Sequence, residues 1–306
     1  MKRKTINNSI KVFCLLAIVV WPLYNSFLGF DLVDTGYYLY QYETPLSPYG
    51  TYTTYLATLI GAVWLKIFPG LGLWGLNILE ILIEWITCIV VYQTFKFKYG
   101  KTTTLCGIAI TMLGISTYVN IFNYHQLNMA LCCIMLCFMY KGLSSENSIF
   151  LFISGCMGGL AITCRMPSLL TIVCILCIVY WHIWKSKSKE RVGKNIFSFI
   201  LGYIVIGIAV VIFLYAFQLK DIIIEEIFRL NDLGSTGSAA YGTSSMLTNL
   251  IRDTFWGLVA ALLFTVCILG FAVIYEWTQK RKKISYVILG AYSLTMIPII
   301  YIAVYI

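Results

Sequence analysis

Apolar runs long enough to cross a bilayer recur along this chain and leave little sequence for anything else. A membrane-spanning helix takes about 20 mostly apolar residues, and such runs occupy 10–29, 73–95, 102–120, 124–140, 148–165, 168–184, 196–217, 254–275 and 285–306. Composition agrees with that reading. Of the 306 residues 60% are hydrophobic and 11% charged, with a mean hydropathy of +0.84, far from soluble-domain averages. In hydrocarbon every backbone polar group must be satisfied within its own segment. The expected fold is therefore all-α, a polytopic transmembrane helical bundle of about nine spans, forming a single transmembrane domain over 1–306. The leading MKRK with its apolar run resembles a signal peptide, but the run is long and ends in Pro22 and bulky aromatics, without a small-residue cleavage site. It reads as a retained first helix.

A formal net charge of +9 would suggest nucleic acid in a soluble protein. Here the basic residues cluster between spans, as MKRK, KFKYGK at 96–101, KSKSKERVGK at 185–194 and KRKK at 280–283. Such clusters mark the cytoplasmic side and attract anionic headgroups, so a nucleic-acid partner is set aside. They also constrain the segment 51–69, TYTTYLATLIGAVWLKIFP, which is apolar enough to be a further span. If it crossed with the N-terminus inside, every later basic cluster would fall outside. The segment opens with five Thr or Tyr residues and carries Lys66 before Pro69. It is expected to lie in the outer interface, as a juxtamembrane helix within a first extracytoplasmic loop at 30–72. A second extracytoplasmic loop follows at 218–253. The N-terminus is then cytoplasmic and the protein multi-pass in the cytoplasmic (inner) membrane. An N-terminus-out arrangement satisfies the later clusters too, at the cost of MKRK alone.

Eleven cysteines sit almost entirely inside apolar runs and read as small apolar residues. The C-x-x-C of Cys174 and Cys177 lies within a span, where neither a redox domain nor a metal knuckle fits. The phosphate-binding, dinucleotide, zinc-protease and nucleophile-elbow signatures are missing, which removes ATP-driven chemistry and common hydrolysis.

Directly after the first span comes FDLVDTGYYL at 30–39. On a helical turn Asp31 and Asp34 share a face, where either could take a proton from a hydroxyl, or both could hold a divalent cation. A helix cap or a solvated loop accounts for such a pair equally simply. Tyr37 and Tyr38 suit a sugar or the membrane interface.

The run from Asp31 to Lys101 resembles the N-terminal half of the GT-C membrane glycosyltransferases, the class of protein mannosyltransferases and aminoarabinose transferases. The likeness lies in the order D-x-x-D-x-G-Y-Y, then TPLSPYGTYTTYLATLIGAVWLKIFPG, then an apolar helix ending VYQTFKFKYGK. It extends more loosely to NYHQLNMALCC at 123–133 and GLAITCRMPSLL at 159–170. The acidic residues here are separated by two intervening residues, unlike the family's adjacent or D-x-D spacing, and family members usually continue further, so a C-terminal part is expected to be lacking.

The resemblance implies an inverting hexosyl- or pentosyltransferase moving a sugar from a polyprenyl phosphate to a lipid, glycan or protein acceptor at the outer face. It assigns Asp31 and Asp34 as catalytic, with a divalent cation between them as the one candidate cofactor, and Tyr37, Tyr38, Glu80, Glu84, His125 and Arg165 as substrate-binding. Arg165, before Met166 and Pro167, suits a phosphate because a guanidinium fork matches its oxygens, although a snorkelling interface arginine looks the same in sequence. Glu80 and Glu84 lie four apart in a span, where ionisable groups are rare. They line a cavity wall, pair with Arg165, or stay protonated in a helix contact. His125 could be an acid or base near pH 7, or a structural helix-end group. The rival class is a transporter or flippase for a lipid-linked or small solute, favoured by Glu80 and Glu84 alone; no internal repeat supports it. A non-catalytic scaffold would make the acidic pair dispensable.

Overall fold

The computed structural model describes residues 2–27, 29, 32–45, 54–115, 121–185 and 189–219, together with Thr248 and Arg252. Two compact units divide the chain, Met1–Ile224 and Glu225–Ile306, and the described residues fall almost wholly in the first. The expected spans at 254–275 and 285–306, and nearly all of the loop at 218–253, lie outside the described residues.

The first unit is helical throughout its described residues. It runs α1 (Lys2–Asn25), α2 (Leu32–Glu43), α3 (Tyr55–Ile67), α4 (Gly72–Phe95), α5 (Lys101–Ile115), α6 (Tyr124–Ser145), α7 (Ser148–Cys164), a 3-10 segment (Met166–Cys174), α8 (Ile175–Trp184) and α9 (Lys189–Ala216). Five stretches are long and apolar enough to cross a membrane, at Asn8–Asn25, Pro69–Phe95, Tyr124–Ser145, Met166–Ile183 and Glu190–Ala216. These coincide with five of the expected spans. The expected spans at 102–120 and 148–165 correspond to α5 and α7, which have 15 and 17 residues.

Neighbouring helices pair in register along their length. Trp85 Nε1 donates to the carbonyl of Ile18 at 3.1 Å and Asn77 Nδ2 to that of Ser26 at 3.2 Å, so α1 and α4 run antiparallel. Ser154 Oγ donates to the Met135 carbonyl at 2.8 Å, tying α7 antiparallel to α6. The α7–α9 contact is close because glycines line it. A Cβ on Gly155 would strike the Phe199 carbonyl, and one on Gly202 the Phe152 carbonyl. That is the close backbone approach small residues permit between membrane helices.

With 13 residues α3 is about 20 Å long, against about 30 Å of hydrocarbon. Its buried stripe, Ala57, Thr58, Gly61 and Ala62, is made of small residues, and a Cβ on Gly61 would come within 2.8 Å of the Tyr42 ring. That stripe lets α2 lie close against it. Tyr55 stacks on Phe213, in the last turn of α9, with ring centroids 5.7 Å apart. At the other end Trp64 Nε1 donates to the Gly75 carbonyl in the first turn of α4 at 2.6 Å. Both ends of α3 thus rest on one end of the bundle, the end where α1, α7 and α9 finish and α4 and α6 begin. A crossing helix would contact opposite ends.

Basic residues concentrate toward one end of the bundle. Asp34, Lys66 and Arg165 lie at the α3 end. Lys96, Lys98, Lys141, Lys185 and Arg191 lie at the other, where Lys98 sits 4.7 Å from the Tyr140 ring centroid and Arg191 pairs with Glu146 at 2.7 Å. His182 is buried there, its Nδ1 2.8 Å from the Ile178 carbonyl and its Nε2 3.1 Å from Asn195 Nδ2. It locks α8 to α9, whereas a histidine between Trp181 and Trp184 reads in sequence as interfacial. Cys174 and Cys177 are free thiols.

Candidate active site

Three elements meet at the α3 end of the bundle. The helix α2 carries Asp34 in its first turn, exposed, with Tyr37 46% exposed and Tyr38 buried one turn on. An acidic residue in a first helical turn is favoured by the helix dipole. Asp31 lies outside the described residues, so the pairing a cation would need is not part of the geometry. Among the described residues no group of three His, Cys, Asp or Glu side chains is arranged to hold a metal.

The second element is the start of α6. Asn123 caps it, its Oδ1 accepting from the backbone N–H of His125 at 2.8 Å and of Gln126 at 3.3 Å. That is the side-chain cap a helix N-terminus calls for. The cap fixes Tyr124, whose ring meets Tyr38 edge-on at 6.0 Å, and His125, whose ring lies tilted by 34° against Tyr124 at 4.0 Å.

The third element is the junction after α7. Pro167 ends the helix and opens the 3-10 segment, leaving Arg165 exposed and extended at φ −157°. Ser168 Oγ donates to Asn128 Oδ1, one turn after His125 on α6, at 2.6 Å. This side-chain pair joins the third element to the second and sets where Arg165 stands.

Asp34, His125 and Arg165, well separated in sequence, thus come to the same end of the bundle. The imidazole lies within electrostatic range of both Arg165 and Asp34. A carboxylate, an imidazole and a guanidinium bordered by aromatic rings supply what acyl or glycosyl transfer to a hydroxyl needs: a group to orient or deprotonate the acceptor and a cation for a departing anion.

Tyr42 supports this platform from below. Its hydroxyl donates to the Phe122 carbonyl at 2.8 Å, and its ring is 3% exposed, stacked on Tyr38 at 6.5 Å. Burial pushes its phenol well above the usual tyrosine range, with the neighbouring Tyr38 and Glu80 adding to the effect. Neither Tyr42 nor the Asn128–Ser168 pair stands out in sequence, because single polar residues in apolar runs carry no spacing signal.

Glu80 and Glu84 are not part of the Asp34 cluster. They line a cavity between α4, α5 and α6 together with Gln126, the residue after His125. Glu80 is 1% exposed. Of the three roles open to these acids in sequence, pairing with Arg165 is not formed: Glu80 Oε2 and Glu84 Oε2 are buried with no hydrogen-bond partner, and Arg165 is exposed.

The sequence model of the dolichyl-phosphate-mannose-protein mannosyltransferase family matches residues 53–215, the stretch from α3 through nearly all of α9. No curated protein and no solved structure matches significantly.

Proposed function

Because this chain belongs to the dolichyl-phosphate-mannose-protein mannosyltransferase family, and is thus a multi-pass membrane glycosyltransferase of the GT-C type, we propose that it moves a sugar from a polyprenyl phosphate to an acceptor hydroxyl at the outer face of the cytoplasmic membrane, with inversion at the anomeric carbon. The observation that carries this reading is the convergence of Asp34, His125 and Arg165 at the end of the bundle where α3 lies flat. The described basic residues Lys96, Lys98, Lys141, Lys185 and Arg191 collect at the opposite end, which the charge rule assigns to the cytoplasm.

In this mechanism Asp34 orients the acceptor hydroxyl and takes its proton as the oxygen attacks, with Asp31 assisting. Arg165 holds the departing phosphate, whose charge grows as the glycosidic bond breaks. A guanidinium keeps its own charge at any working pH and can bond two phosphate oxygens at once. Tyr37, half exposed beside Asp34, offers a ring face to the sugar, and His125 stands where it can hydrogen-bond either partner. An apolar strip runs on from Arg165 through Met166, Leu169, Leu170, Val173 and Leu176, all exposed, and gives the prenyl chain a path along the helix. A divalent cation, if used, would draw on Asp31 and Asp34.

The family match and the distribution of charge favour transfer over transport. The test is sugar transfer from a radiolabelled polyprenyl-phosphate donor by protein reconstituted in vesicles. Asp34→Asn is expected to lower turnover by about 100-fold or more, as for a lost general base, and Arg165→Lys to raise KM for the donor more than it lowers kcat. Full turnover in Asp34→Asn would remove the aspartate from the mechanism.

A further inference from the structure

The cavity between α4, α5 and α6 has a volume of about 530 Å³, and its construction differs at its two ends. From Glu80 to Phe95 it follows α4 for about 22 Å at 1.5 Å per residue. Most of that length is hydrocarbon, contributed by Ile83, Val91, Ile108, Met112 and Met129. The helix α5 packs on α1 and α4 but barely touches α6, so the cavity opens sideways between α5 and α6.

Several polar side chains on the walls are already satisfied. Thr87, Thr104 and Thr111 each donate to a carbonyl one turn back, at 2.8 to 2.9 Å. Three oxygens at the α3 end are not: Glu80 Oε2, Glu84 Oε2 and Gln126 Oε1 are buried without a partner. Among the described residues no lysine or arginine lines the cavity. Unpaired buried acceptors of this kind are costly, and ionisable groups inside a membrane are seldom kept without a partner.

We propose that this cavity binds a single-chain amphiphile carrying a primary amine, with its ammonium among Glu80, Glu84 and Gln126 and its hydrocarbon tail between α4, α5 and α6. An ammonium has three N–H donors, no acceptor and a positive charge, which answers three orphaned oxygens of which two are carboxylic. An alcohol brings a single donor. A phosphate brings acceptors and negative charge to two acidic groups. A bare cation would leave some 22 Å of apolar wall unused. The cavity keeps this ligand whether or not Asp34 serves in sugar transfer, because the acids stand apart from Arg165.

The test is photocrosslinking of the full chain in nanodiscs of uncharged lipid. The probe is a long-chain primary amine with a mid-chain diazirine, and its matched alcohol and phosphate monoester serve as comparisons. Crosslinked peptides are located by mass spectrometry. The amine is expected to label peptides of α4, α5 and α6 in preference to both analogues. Labelling should fall roughly tenfold or more in the double variant Glu80→Gln, Glu84→Gln, as for loss of charge-assisted hydrogen bonds. Gly107→Leu, which fills the cavity from a position where a Cβ meets nothing within 4 Å, should exclude the tail while leaving both acids in place; it decides the matter should the double variant fail to fold. Equal labelling by the alcohol or the phosphate, or undiminished amine labelling in either folded variant, would overturn the assignment.

Discussion

The α7–α9 seam and the α4–α5–α6 cavity are built from the same kind of apolar membrane helix, yet one is closed to the backbone and the other is open. In the seam, Gly155, Gly158, Gly159 and Gly202 bring the helices so near that an added Cβ would meet the Phe199 carbonyl, the Tyr203 hydroxyl, Ile206 or the Phe152 carbonyl. In the cavity, α5 and α6 stand apart, and three polar oxygens, Glu80 Oε2, Glu84 Oε2 and Gln126 Oε1, lack partners. Apolar character alone therefore does not decide where a membrane bundle closes. Side-chain size at a few positions does, and the unclosed region keeps three unsatisfied polar oxygens, as expected where stability yields to binding.

The same substitution made in both regions would break this comparison most directly. Gly155→Leu should cost the upper end of the about 1–3 kcal/mol of overpacking, or more, since the obstacle is a carbonyl that cannot rotate away. A large fall in Tm, or loss of monodisperse protein in detergent, is the expected result. Gly107→Leu, facing open space, should leave Tm close to that of the wild type. Equal losses in the two variants would mean that the cavity is packed as tightly as the seam. Next in size is Glu80→Leu, which replaces an orphaned buried carboxyl by hydrocarbon and should stabilise the ligand-free protein by about 1–3 kcal/mol. A lower Tm would show instead that the carboxyl has a partner.

How much of this was legible in sequence differs between the two regions for physical reasons. Gly155 and Gly159 form a G-x-x-x-G that announces close packing, but Gly158 and Gly202 take part equally, and which helix they would meet depends on tertiary pairing. Glu80 and Glu84 stand out because charge is rare in a span, and their four-residue spacing places them on one face. Their separation from Arg165 was not legible, because it follows from the placement of the 3-10 segment by Ser168 and Asn128. Charge arithmetic and Lys66 point in sequence to an interfacial α3, whereas its 13-residue length and the resting of both its ends on one end of the bundle appear only in the structure. The meeting of Asp34, His125 and Arg165 needed three helices in register, which no local pattern encodes.

Smaller effects test the frame that holds the candidate site. Ser168→Ala removes the hydroxyl from Asn128 Oδ1 and should cost about 1 kcal/mol. Its effect on transfer should exceed its effect on stability, with KM for the donor rising as Arg165 loses its fixed position; an unchanged KM would make the pair a structural clip alone. Sidedness should leave stability untouched. Tyr40 on α2 is 47% exposed and Phe97, among the basic residues after α4, is 84% exposed, so each can report as a single cysteine once the eleven native ones are replaced. A membrane-impermeant thiol reagent on intact cells should label Tyr40→Cys and not Phe97→Cys. The packing of Tyr55 on Phe213 and of Trp64 on Gly75 requires these two positions to lie on opposite sides, because α3 then returns to the end it left. Labelling of both would mean that α3 crosses and that those contacts do not hold in the membrane; labelling of Phe97→Cys alone would turn Asp34 and Arg165 toward the cytoplasm, where the proposed acceptor would have to be sought instead.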